Sequence, residues 1–139
     1  MHTVCLFIAG ALRAVIPADH FTVAWTHSVE KTRWEERYRV EASGLRLAEA
    51  RIQGSGAGMD PPPDAKLRDG WWSWQPSVGR LPSLRLTLSP FTRDYDLCWD
   101  GRCHKLQRLV AAADRPDAVG PGPGAIAVVE VRSCSESTR

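Results

Sequence analysis

Residues 25–36 read Trp25-Thr26-His27-Ser28-Val29-Glu30-Lys31-Thr32-Arg33-Trp34-Glu35-Glu36 and hold the densest collection of reactive side chains in the chain. Three chemistries are open to them. Serine catalysis would need the His27 imidazole within hydrogen-bond reach of the Ser28 hydroxyl and a third group to orient it. Neighbours on a strand point apart, and no G-x-S-x-G elbow accompanies the pair. A metal site would use His27 and Glu30 with Glu35 or Glu36, imidazole plus carboxylates, which suits zinc or a similar divalent ion. No paired spacing of the HExxH kind supports it, so neither a metal nor a cofactor is assigned. In the third reading Ser28 and Thr32 hydrogen-bond the backbone of a polar turn, and Glu30, Lys31 and Arg33 form its solvated rim.

A second candidate is Gly54-Ser55-Gly56-Ala57-Gly58. Alternate glycines allow backbone N–H groups to converge on an anion, but no Lys-Ser or Lys-Thr follows and no helix clearly begins there. Pro61-Pro62-Pro63 then stiffens what reads as an exposed connection. Trp71, Trp72 and Trp74 could form a stacking platform, yet alternation sends Trp71 to one face and the other two to the opposite face, which favours core packing.

These residues must be positioned by strands. From Trp34 to Ala42 the odd positions are charged and the even positions mainly apolar, the period of a strand with one wet face. Ser43-Gly44 reads as the turn and LRLAEARIQ as the returning strand. Phe21 onward forms another, with Val23, Trp25 and His27 on one face. VCLFIAGAL (4–12), Trp71 to Gln75, Leu84 to Leu88 and Ala125 to Arg132 add more, the last after a GPGPG linker (120–124). Short strands separated by turns predict an all-β fold with little helix, a small antiparallel sandwich or partly open barrel. A single β domain is expected over 1–134, with 135–139 a disordered tail.

The second hairpin fixes a covalent expectation. In Cys98-Trp99-Asp100-Gly101-Arg102-Cys103, Asp-Gly signals a two-residue loop. Trp99 then faces Arg102, and Cys98 lies opposite Cys103 at a non-hydrogen-bonded site, where Cα atoms approach to about 4.5 Å, within disulfide range. Zinc with His104 as a ligand is disfavoured, because Cys103 and His104 point to opposite faces. Cys5 and Cys134 would pair by exclusion.

With 139 residues, 43% hydrophobic and 24% charged, the chain suits one modest core. A net charge of +2 is too small for a phosphate-binding footprint, so nucleic acid is not an expected partner. The longest apolar run, residues 4–12, is far short of the roughly 18 residues that span a bilayer. Ala9-Gly10-Ala11 imitates a cleavage site, but no Lys or Arg precedes the run.

Taken together, the Phe21 to Trp25 strand, His27-Ser28-Val29-Glu30, Glu35 or Glu36, Gly56-Ala57-Gly58 and the Gly70-Trp71 strand resemble DUF1850, a bacterial family of unknown function often encoded beside TAXI-type TRAP transporters. The resemblance implies a small β domain with a transport-associated role and carries over no established activity. Many similar proteins begin with a membrane anchor and face the outside of the cytoplasmic membrane, which implies a periplasmic or extracytoplasmic setting. It also implies a joint binding role for the two loops: His27, Ser28, Glu30 and Glu35 on one side, the backbone of Gly56 and Gly58 on the other, and a carboxylate or a partner loop between them. The leading expectation is a noncatalytic module that contacts transporter components or a small anionic ligand. The alternatives are a metal-dependent or hydrolytic enzyme centred on His27, and a structural domain that dimerises through an exposed edge strand.

Overall fold

The computed structural model describes residues 2–26, 32–54, 61–91, 93–111 and 126–134. Its elements are β1 (Thr3–Ile8), β2 (Ala11–Pro17), β3 (His20–Thr26), β4 (Arg33–Glu41), β5 (Gly44–Gln53), β6 (Lys66–Arg68), β7 (Trp71–Trp74), β8 (Arg80–Leu81), β9 (Leu84–Leu88), β10 (Asp96–Trp99), β11 (Arg102–Lys105), α1 (Leu106–Val110) and β12 (Ala127–Ser133). They form two antiparallel sheets, ordered β2-β1-β12-β9 and β11-β10-β3-β4-β5-β7-β6, with β8 paired to one end of β5. The architecture is a sandwich and not a closed barrel.

Alternation explains which side chains meet. Val4, Leu6, Ile8, Ile16, Leu86, Leu88, Val129 and Val131 of the smaller sheet pack with Phe21, Val23, Tyr38, Val40, Leu45, Leu47 and Leu97 of the larger one in a single buried cluster. Near one end the sheets are also tied by a polar bond, the Ser133 hydroxyl donating to the Glu41 carbonyl.

Several boundaries differ from the sequence reading for identifiable reasons. The apolar run at 4–12 is not one strand, because Ala9 and Gly10 adopt φ of +50° and +81° and turn the chain into a β1–β2 hairpin. Asp69-Gly70 and Asp100-Gly101 make the same paired left-handed turn. The β4–β5 loop is Ala42-Ser43, since Glu41 already pairs with Gly44. Gly44 serves a different need: a Cβ there would lie 2.8 Å from the Leu81 carbonyl oxygen and 2.7 Å from Arg80 Cγ. The short helix α1 buries Leu106 and Val110, four residues apart on one face. Among the described residues, no helix is long and apolar enough to cross a membrane.

Candidate functional site

Of the residues singled out in the sequence, His27, Ser28, Glu30, Gly56 and Gly58 lie outside the described residues, as do the 120–124 linker and the 135–139 tail. Their flanks are described. Thr26 pairs with Arg33 and Trp34 with Ile52, so the chain leaves β3 at Thr26 and β5 at Gln53 on the same end of the sheet, with β4 between them. At that end Trp25 stacks on Trp34 with ring centroids 6.0 Å apart, and Tyr95 meets Trp25 edge-on at 5.9 Å. Among the described residues, the buried Thr32 hydroxyl and the Trp34 indole nitrogen have no hydrogen-bond partner there.

Glu35 is described, and it stands on the outer face of the larger sheet opposite Ala24 and Arg51. Both its carboxylate oxygens are engaged: Oε2 accepts from Arg33 Nε at 3.3 Å, and Oε1 from Arg51 Nε at 2.8 Å and Nη2 at 2.7 Å. Arg33 reaches onward to Asp96 Oδ2 at 3.2 Å, and the Lys105 ammonium holds Asp96 Oδ1 at 3.0 Å. A chain of ion pairs thus runs from β11 through β10 and β4 to β5. It crosses β3 at Ala24, which is fully buried although it belongs to the outer face. A methyl group at that position leaves room for the crossing guanidinium. With side-chain exposures of 18% for Glu35 and 16% for Asp96, these pairs are partly withdrawn from solvent and screening.

Glu36 occupies the opposite face, half-buried, where Tyr38 Oη donates to its Oε1 at 2.8 Å. Burial, and then the charge of Glu36, push the Tyr38 phenol far above its ordinary range. The same two causes, in the same order, raise Tyr95. The sequence reading offered Glu36 as an alternative to Glu35 in a metal site; its partner is the tyrosine two residues along the same face, a spacing visible in the sequence.

The outer face also carries a trough that sequence reasoning missed. One hollow of about 270 Å³ is lined by Thr22, Glu35, Arg37, Glu49 and Arg51. A larger one, about 550 Å³, shares Glu49 and Arg51 and continues over Lys66, Arg68, Trp71 and Ser73. The Arg51 guanidinium lies 4.1 Å above the centre of the Trp71 ring. Trp71 therefore forms part of this trough and, like Trp72 and Trp74, is only half-buried and stands outside the core cluster, contrary to the packing expected for these three residues. Farther along β4, Arg46 first and Arg39 with it draw the Glu41 carboxyl below the usual carboxylate range.

Both cysteine pairs are bridged. Cys98 and Cys103 are register partners with Cα atoms 4.0 Å apart, as the hairpin requires, and Cys5 joins Cys134 at a Cα separation of 5.8 Å. His104 turns to the other face and stacks on Trp99 at 4.4 Å. Among the described residues, no group of three or more His, Cys, Asp or Glu is arranged to hold a metal ion.

Comparison with curated proteins and with solved structures returns no match. A family model matches residues 21–106, from the first buried residue of β3 to the first residue of α1. That span contains the ion-pair chain, the trough, the Cys98–Cys103 bridge and the polar turn, and it exceeds half of the chain. The protein belongs to the family described as a domain of unknown function, DUF1850.

Proposed function

We propose that this protein is a noncatalytic binding module that works beside a TRAP transporter of the TAXI class, by contacting its substrate-binding protein, its permease or a small anion. The observation that carries the binding role is the engagement of Glu35. Both of its oxygens accept from guanidinium groups, so this carboxylate is fixed as part of a surface. Such a face keeps its shape without a ligand, which lowers the ordering cost of recognition. The transporter setting is supported by the likeness of the polar turn and glycine run to proteins encoded beside such transporters. Two disulfides support the oxidising, extracytoplasmic side of the membrane. The Thr32 and Trp34 donors, which have no partner among the described residues, support a contact at that end of the sheet as well.

The test is co-expression of the tagged protein with each transporter component, followed by affinity capture. Retention of one component, lost on His27→Ala without loss of folding, is the expected result. Stoichiometric zinc or another divalent ion in the purified protein, abolished by the same substitution, would replace this reading with a metal-dependent enzyme. A stable dimer that retains no transporter component and no metal would replace it with a structural domain.

A further inference from the structure

We infer that the Cys98–Cys103 bridge is a site of thiol–disulfide exchange, opened by attack of a CxxC-type dithiol oxidoreductase on the Cys103 sulfur, and that Cys5–Cys134 is the structural bridge of the chain. The two bridges differ in where their sulfurs sit. Leu97 is buried in the core, so its neighbour Cys98 projects from the outer face of the larger sheet, half-buried, with Cys103 exposed opposite it. Cys5 is 6% exposed and has a strand on either side, being paired to Val15 of β2 and to Arg132 of β12. Its partner Cys134 is half-buried. A thiolate must reach the sulfur that it attacks, so exchange selects for access.

Attack on a disulfide runs in line with the bond that breaks, so the surroundings choose which sulfur is attacked. This bridge spans from β10 to β11, and among the described residues no strand lies beyond β11. Extended past Cys103, the line leaves the sheet at its open edge. Extended past Cys98, it runs toward β3, where Thr22 is the register partner. The thiolate of the reductant therefore bonds to the Cys103 sulfur, the S–S bond breaks, and its electron pair leaves with Cys98 as thiolate. The second thiol of the reductant then attacks the mixed disulfide, closes the cystine of the oxidised reductant, and releases Cys103 as thiolate. The two protons of the dithiol end on Cys98 and Cys103. The hairpin has other supports through this cycle. Asp100 and Gly101 set its turn at φ of +52° and +75°, Trp99 stacks on His104 at 4.4 Å, Lys105 holds Asp96 at 3.0 Å, and Leu106 of the following helix is fully buried. With a sequence separation of 5, the bridge also constrains the unfolded chain much less than Cys5–Cys134 does. Opening and reclosing thus take place on a folded chain, with the two thiols held opposite each other in register.

The experiment treats the full oxidised chain, without denaturant, with limiting dithiothreitol, quenches with iodoacetamide and maps the cysteines by mass spectrometry. Trypsin cuts after Arg102 and so separates Cys98 from Cys103. The expected result is alkylation of Cys98 and Cys103 about tenfold or more ahead of Cys5 and Cys134, with an unchanged far-ultraviolet circular dichroism spectrum. Amide exchange should quicken at Arg102 to Lys105 on reduction and stay level in β1 and β12. In a second arm, a CxxC oxidoreductase whose resolving cysteine is replaced by serine should be captured as a mixed disulfide on Cys103. Cys98→Ala/Cys103→Ala should fold, keep the Cys5–Cys134 bridge and capture no oxidoreductase. The proposal is overturned if Cys5–Cys134 opens first or at the same rate, or if Cys98–Cys103 opens only in denaturant. An adduct on Cys98, or none at all, also overturns it. So does an unfolded paired alanine variant, which would make this bridge a structural clamp.

Discussion

Glu35 and Glu36 are neighbours in the chain and sit on opposite faces of β4, one among guanidinium groups and the other beside a buried phenol. Removing the charge of Glu35 should strand Arg33 and Arg51 over a partly buried surface. Glu35→Gln is expected to cost about 1–3 kcal/mol, read as a lower urea midpoint with an unchanged slope. Tyr38→Phe deletes the hydroxyl that donates to Glu36 and should cost about 1 kcal/mol near neutral pH. The tyrosines also set an alkaline limit. Both have phenol pKa values raised in the folded state, by burial first and by Glu36 second, so folding favours their protonated forms. The stability they contribute is complete below the unfolded value of about 10 and is lost as pH climbs beyond it. Urea midpoints measured from pH 8 to 11.5 should stay level and then fall above about pH 10, and Tyr38→Phe should make that fall shallower.

At the scale of elements, much of the strand pattern was legible because period-two alternation needs no knowledge of neighbours. The β4 and β5 strands, Leu84–Leu88 and the Cys98–Cys103 hairpin follow from it directly. The β1–β2 hairpin was hidden by an apolar run, in which an Ala-Gly turn carries no polar signal. The bulges were hidden too: β5 gains a residue at Ala48 where β4 passes from Arg37 to Tyr38, and such a shift depends on two strands at once. Gly44 gives a test of element packing. Gly44→Ala places a methyl against the Leu81 carbonyl and should detach β8 from β5, seen as faster amide exchange at Arg80 and Leu81 and a loss of about 1–3 kcal/mol. Ala24→Leu should break the Arg33–Asp96 crossing and separate β10 from β4 electrostatically, with a loss of similar size.

For the whole molecule the two disulfides have unequal weight. Cys5–Cys134 closes a loop of 129 residues, whereas Cys98–Cys103 has a separation of 5. In the chain-entropy account these constrain the unfolded state by about 5 and about 2 kcal/mol respectively. Paired serine substitutions, compared by urea unfolding, should therefore lower stability much more for the first bridge than for the second. The sequence alone determined the all-β class, the cross-strand cysteine pair and the two-sided character of β4, because each depends on residues close together in the chain. Only the tertiary structure decided that Lys105, Asp96, Arg33, Glu35 and Arg51, spread over about half of the chain, form one connected row. Strand order and register bring those charges together, and both are set by how the two sheets bury their apolar faces, a global condition that no local pattern specifies.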